Sequence, residues 1–165
     1  MKTKIFIVAL LVFLASCTPK QELTQQEKDL IKKEVNSSIQ TIFSAWQTMD
    51  INKNSHLFLN TSEFTGIGVD GSILNYDEMI KMSKETFDLW SEFKTSIVKI
   101  DVKIITSEIA IATVIYRAEA KYKTGQVDNW DSIGSTFVLK KINNEWKVIH
   151  FQESSMPPKT VAIKK

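Results

Sequence analysis

The sequence predicts an α+β domain in which N-terminal helices pack on one face of an antiparallel sheet. Three observations carry this. Residues 24–90 hold two amphipathic helical stripes, each opened by a capping box. Residues 97–151 are dominated by β-branched and aromatic residues in long runs. Those runs are separated by short turn signals, so neighbouring strands pair as a meander.

The first helix starts at Thr24, with Glu27 three residues on to reach back to the cap. Ile31, Val35, Ile39, Ile42, Trp46 and Met49 recur at spacings of four and three, and Phe43 widens the stripe. Asp50 and Asn52 are expected to end it, and His56 to Leu59 reads as a short apolar patch, a single helical turn. Phe64–Val69 and Ser72–Leu74 flank Asp70-Gly71, a turn pair suited to a hairpin. Asn75 and Glu78 open the second helix, whose stripe is Tyr76, Ile80, Ser83, Phe87 and Trp90. Four strands follow, Ile97–Ile105, Ile109–Tyr122, Val127–Ile142 and Trp146–Phe151, punctuated by Thr106-Ser107, Thr124-Gly125 and Asn143-Asn144. Pro157-Pro158 ends the last strand, and residues 156–165 read as a loose tail.

The segment before the domain reads as an address. Lys2 and Lys4 precede an unbroken apolar run from Ile5 to Ala15, too short to span a bilayer and long enough for an export signal. Leu14-Ala15-Ser16-Cys17 then resembles the bacterial lipobox, in which the cysteine thiol receives a diacylglycerol and the signal is cut just before it. The single cysteine of the chain stands at the one position this motif requires. Residues 1–16 are thus expected to be a lipoprotein signal peptide, 17–23 a lipidated tether, and 24–155 the folded domain. The partner implied by Cys17 is the membrane, and the location a bacterial cell envelope. Thr18, where an aspartate would signal retention at the inner membrane, tilts the expectation toward the outer one.

Composition narrows function by exclusion. The chain carries 21 basic and 19 acidic residues, and leaving out Lys2 and Lys4 balances the rest at 19 each. A neutral domain has no general electrostatic claim on nucleic acid, and no nucleic-acid partner is expected. With His56 and His150 the only histidines and the one cysteine assigned to lipid, no His/Cys metal site and no cofactor is expected. Gly66-Ile67-Gly68-Val69-Asp70-Gly71 matches a dinucleotide-binding pattern letter for letter. Its glycines sit in a hairpin rather than between a strand and a helix opening directly on them, so the match is coincidental.

The mature chain is similar to the SnoaL-like branch of the nuclear transport factor 2-like superfamily over roughly residues 27–155. The carriers are Ala45-Trp46 with Asp50, Phe64-Thr65-Gly66 leading through Gly71, and an ending made of Ser135–Lys140, Glu145–His150 and Ser154. The resemblance implies a cone-shaped, cystatin-like fold with a pocket between helices and a curved sheet, and commonly a homodimer. Members include ketosteroid isomerases, polyketide cyclases, epoxide hydrolases, dehydratases and many non-catalytic binders.

Six residues are candidates for the pocket: Trp46, Trp90, Tyr116, Trp130, His150 and Gln152. By strict alternation Trp146, Val148, His150 and Gln152 share one strand face, which would carry the last two to the pocket wall. There His150 could orient a ligand or act as a base, or simply bond a neighbouring strand. Trp130, between Asn129 and Asp131, suits a pocket mouth, a dimer contact or an exposed edge. Isomerase-like chemistry would need a desolvated acid beside a phenol. Asp50, Glu119, Asp128 and Asp131 offer no such pair with Tyr116 by sequence alone, and the catalytic residues are undefined. The leading expectation is an envelope module binding a small apolar or amphipathic ligand, or a protein, in the cone. The alternatives are an isomerase, cyclase or hydrolase type of enzyme and a homodimeric structural accessory.

Overall fold

Both capping boxes form. In the computed structural model, which describes residues 22–162, the Glu27 amide donates to Thr24 Oγ1 at 3.3 Å and the Thr24 amide to Glu27 Oε2 at 2.8 Å. They start α1 (Gln25–Gln47). Asn75 and Glu78 do the same for α3 (Tyr76–Leu89). The residues expected to form the signal, Cys17 and most of the expected tether lie outside the described residues.

Between these helices lies α2 (Ile51–Ser55), five residues earlier than the turn expected at His56–Leu59. Asp50 opens it rather than closing α1: its side chain accepts the Asn52 amide at 2.9 Å. Met49, at φ 51°, makes the corner between the two helices. His56 and Leu57 form a turn, and Phe58 then bridges Val148 in parallel, with the Leu57 carbonyl and Leu59 amide meeting the backbone groups of Val148.

The strands are β1 (Thr65–Ile67), β2 (Ile73–Leu74), β3 (Trp90–Ile104), β4 (Ile109–Tyr122), β5 (Gln126–Ile142), β6 (Glu145–Ser155) and β7 (Lys159–Ala162). They form one seven-stranded sheet in the order β2-β1-β6-β5-β4-β3, with β7 on β5. The long strands are the expected antiparallel meander, while β1 joins β6 in parallel. The tail expected to be loose is corrected here: residues 159–162 pair with 126–129, where β5 outruns β6 and would otherwise leave its edge open. Thr160 Oγ1 donates to the buried Asp128 carboxylate at 2.7 Å, fastening that strand.

Two turns follow their residue types. Asn143 and Asn144 both take positive φ, 50° and 66°, as a two-residue hairpin between twisted strands requires. Gly66 is needed for another reason: a Cβ there would lie 2.5 Å from the Phe151 ring.

Burial follows the sequence stripe on α1, where Ile31, Val35, Ile39, Ile42 and Phe43 join one core with Phe137, Leu139 and Val148 of the sheet. Small inner-face residues of β4, Ala110 and Ala112, leave room for that stripe. Helix α3 differs, since only Met79 on it is buried. Its inner side looks onto open space rather than core, and that space is the site.

Candidate functional site

The sheet curls because extra residues are inserted into its strands. Val98 is bulged out of β3 opposite β4, Asp131 and Ser132 of β5 together face Arg117, and Ile149 is extra in β6. The concave side, α3 and the end of α1 enclose a cavity of about 410 Å³. Met79, Ser83, Thr86 and Phe87 of α3 form one wall, and Trp90 and Phe93 of β3 another. Gly68, Val69 and Asp70 of the β1–β2 turn stand at the mouth. Most of the lining is apolar or aromatic.

Four of the six sequence candidates line this cavity. Trp46 projects from the last turn of α1 and packs on Phe43, 5.0 Å between ring centroids. Trp90, the residue at which α3 gives way to β3, stacks on Phe93 at 4.5 Å and 19°. Tyr116 lies on the inner face of β4, buried beneath the edge of Phe43 at 4.7 Å. Trp130 is half-buried and separates this cavity from a second, shallower hollow lined by Gln47, Lys94, Arg117 and Asp131.

The other two are corrected. His150 and Gln152 face away from the cavity because Ile149 is the extra residue in β6. Val138 pairs with His150 while the adjacent Leu139 pairs with Val148, so the alternation changes phase between them. Trp146 and Val148 point inward before the bulge, and Phe151, Glu153 and Ser155 after it. On the other face, His150 Nδ1 lies 2.8 Å from Thr65 Oγ1, a bond across to β1. Gln152 is exposed.

The bulge therefore delivers a carboxylate that alternation assigns to the outside. Glu153 Oε1 accepts the Tyr116 hydroxyl at 2.6 Å and the Ser135 hydroxyl at 3.0 Å. Ser135 is itself buried. Burial pushes the Tyr116 phenol well above its usual value, and the Glu153 charge and hydrogen bond push it further the same way. Tyr116 thus stays protonated and donating. This is the acid–phenol pair missing from the sequence reading. The signal that reveals it is the spacing of the large apolar residues: Trp146, Val148 and then Phe151 break period two at Ile149.

The four carboxylates considered from sequence stand elsewhere. Asp50 caps α2, Glu119 lies 3.8 Å from Lys121 Nζ, and Asp131 pairs with Lys159. Asp128 accepts Gln126 Nε2 at 3.0 Å as well as Thr160. None of them lines the cavity beneath α3, though Glu119 and Asp131 line the second hollow.

Comparison with known proteins agrees on the architecture. The chain is similar to a candidate scytalone dehydratase from Novosphingobium aromaticivorans, with TM-score 0.74 and 8% identity over 86% of this chain and 94% of that one. It is similar to a nuclear transport factor 2-like superfamily protein from Salmonella enterica, with TM-score 0.71 and 18% identity over 80% and 94%. A third likeness is to a candidate dehydratase from Streptomyces avermitilis, with TM-score 0.70 and 13% identity over 78% and 98%. Identities this low speak for the fold alone. No curated protein matches the sequence. The model of the SnoaL-like domain matches residues 35–158, from the middle of α1 to the residue before β7. With that match covering well over half its length, on a nuclear transport factor 2-like fold, the chain belongs to the SnoaL-like domain family.

Proposed function

We propose that this domain binds a small, largely apolar molecule inside the cone, and that a lipid on Cys17 holds it at the cell envelope. The observation that carries the binding reading is the open cavity of about 410 Å³, which the domain's own side chains do not fill. Its size lies within the range of small-molecule sites, about 300–1,000 Å³. Apolar walls with one convergent polar group, Glu153 with Tyr116 and Ser135, are the usual composition of such a site. The anchoring reading rests on Leu14-Ala15-Ser16-Cys17 and the apolar run before it.

A second reading, an enzyme using Glu153 as its base, is favoured by the same acid–phenol contact. Two of the similar structures are candidate dehydratases, whose chemistry includes proton removal. The direction of the hydrogen bond weighs against it. The phenol proton is committed to Glu153 and is not offered to a substrate oxygen.

Calorimetric titration of the purified full chain with naphthylmethanol, a neutral aromatic alcohol, tests the binding reading. Ser83→Phe, which places a ring in the cavity from the inner side of α3, is the control. Saturable binding weakened about ten-fold or more in the variant is expected. Equal binding to both, or no binding to wild type by this alcohol or by its amine and carboxylate analogues, refutes the cone as the site. Turnover of a bound ligand that vanishes in Glu153→Gln while binding persists would establish the enzyme reading instead.

A further inference from the structure

We infer that the cone selects an organic cation, a protonated amine on an apolar or aromatic body, with Glu153 as its counter-ion. The inference rests on the cone-binding reading and names the ligand's chemical class.

The charge arrangement of the lining carries it. Glu153 is an acceptor-only group when ionised. Its Oε1 is satisfied by Tyr116 and Ser135, both neutral hydroxyls. Its Oε2 takes no hydrogen bond from the described residues, and no lysine, arginine or histidine among them pairs with Glu153. The second acid of the cavity, Asp70, stands at the exposed mouth and spends Oδ1 on Ser72. Among the described residues, no cationic side chain lines the cavity. Glu153 stands half-buried on the cavity wall with Oε2 unengaged, and a ligand that brings a positive charge can form a charge-assisted hydrogen bond to it.

The walls fit the same ligand. Trp90 and Phe93 stack as a continuous aromatic surface, and Trp46 and Trp130 add two more indole rings. Indole faces attract ammonium groups through the ring quadrupole, most strongly where water is displaced. An anionic ligand meets the opposite: the Glu153 charge, with Tyr116 and Ser135 already donating to that carboxylate and only uncharged donors, among them the Thr86 and Ser155 hydroxyls and the Trp90 N–H, left in the lining. A neutral ligand gains the apolar contacts and at most a hydrogen bond from an uncharged donor to Oε2, weaker than that of a cation. Because the chain without its two signal lysines is electrically balanced, this preference is a property of the cavity and not of the whole surface.

Three isosteric probes, naphthylmethylamine, naphthylmethanol and naphthoate, titrated into the full chain at neutral pH, separate the possibilities. The amine is expected to bind about ten-fold or more tightly than the alcohol, as a hydrogen-bonded charge pair predicts, with naphthoate weakest. Glu153→Gln should abolish the amine's advantage, so that amine and alcohol bind that variant alike. Glu153→Asp, which keeps the charge, should retain the preference for the amine. An alcohol that binds as well as the amine overturns the cation assignment and leaves cone binding intact. Failure of all three probes overturns both. The wild-type ranking decides even where a variant does not fold.

Discussion

Trp146 offers the sharpest test of how the domain is held together. It follows the Asn143-Asn144 turn at the start of β6, is 6% exposed, and belongs to the core with α1. Its indole N–H donates to Glu34 Oε2 at 2.9 Å, and Lys141 Nζ donates to the same oxygen at 2.7 Å. Replacement by alanine empties a large buried site, a loss of about 3–5 kcal/mol where the surroundings cannot collapse. Trp146→Phe keeps most of the packing and removes only the N–H. A bond to a charged acceptor is worth about 1.5–3 kcal/mol, less here because Glu34 is partly exposed and keeps Lys141, so about 1 kcal/mol is expected. Trp130→Ala removes a half-buried ring beside open space and should also cost about 1 kcal/mol. Urea denaturation followed by far-ultraviolet circular dichroism measures all three without relying on tryptophan emission. A domain of this size has about 5–15 kcal/mol in total, so Trp146→Ala should shift the midpoint severely. Equal losses for Trp146→Ala and Trp130→Ala would refute the placement of Trp146 in the core. Equal losses for Trp146→Ala and Trp146→Phe would show that the bond to Glu34, not packing, is the source.

Cys17→Ser should leave the protein unlipidated and move it out of the membrane fraction, because stable anchoring takes two or more acyl chains and the variant would carry none. Fractionation of both forms checks this, and equal membrane retention would contradict the lipobox reading. Acid should weaken the α1–β6 contact. Lys141, and after it the Trp146 indole, hold the Glu34 carboxyl below its ordinary 4.5. A lowered value in the folded state stabilises it fully above pH 4.5, and that contribution is lost as pH falls through the folded value. Melting temperatures taken from about pH 6 down to about pH 3 should therefore fall more steeply for wild type than for Glu34→Gln. Parallel curves would remove Glu34 from the acid response.

Much of this fold was legible because its signals are local. Thr24 with Glu27 and Asn75 with Glu78 state where helices begin within four residues, and both form as read. The turn residues Asn143, Asn144, Gly71 and Gly125 all adopt positive φ at the breaks between strands. What stayed hidden is set by distant partners. Strand β7 exists because β5 runs past the end of β6, a fact about two other strands. The bridge at Phe58 depends on Val148, far along the chain. Glu153 meets Tyr116 across 37 residues, and no local pattern in either segment names the other.

The site shows why such details matter more for function than for fold. The row Ile97, Tyr116, Ile133 and Ser155 crosses four strands, and bulges lie next to it on both sides of Tyr116, at Val98 and at Asp131–Ser132. Each extra residue bends its strand and tightens the local twist. The sheet therefore curls most where the cavity needs a concave wall. The bulge at Ile149 also sets the phase of β6. Without it, period-two alternation from Trp146 and Val148 would bring His150 and Gln152 inward and turn Glu153 out beside solvent. A cone walled by the same tryptophans would then hold an imidazole and an amide where it now holds a carboxylate. Its preference among cationic, neutral and anionic ligands would change with no substitution in the lining itself. The chemistry of this pocket thus depends on a backbone register, and a relative with the same inner-face residue types but no bulge in the last long strand should not share its ligand.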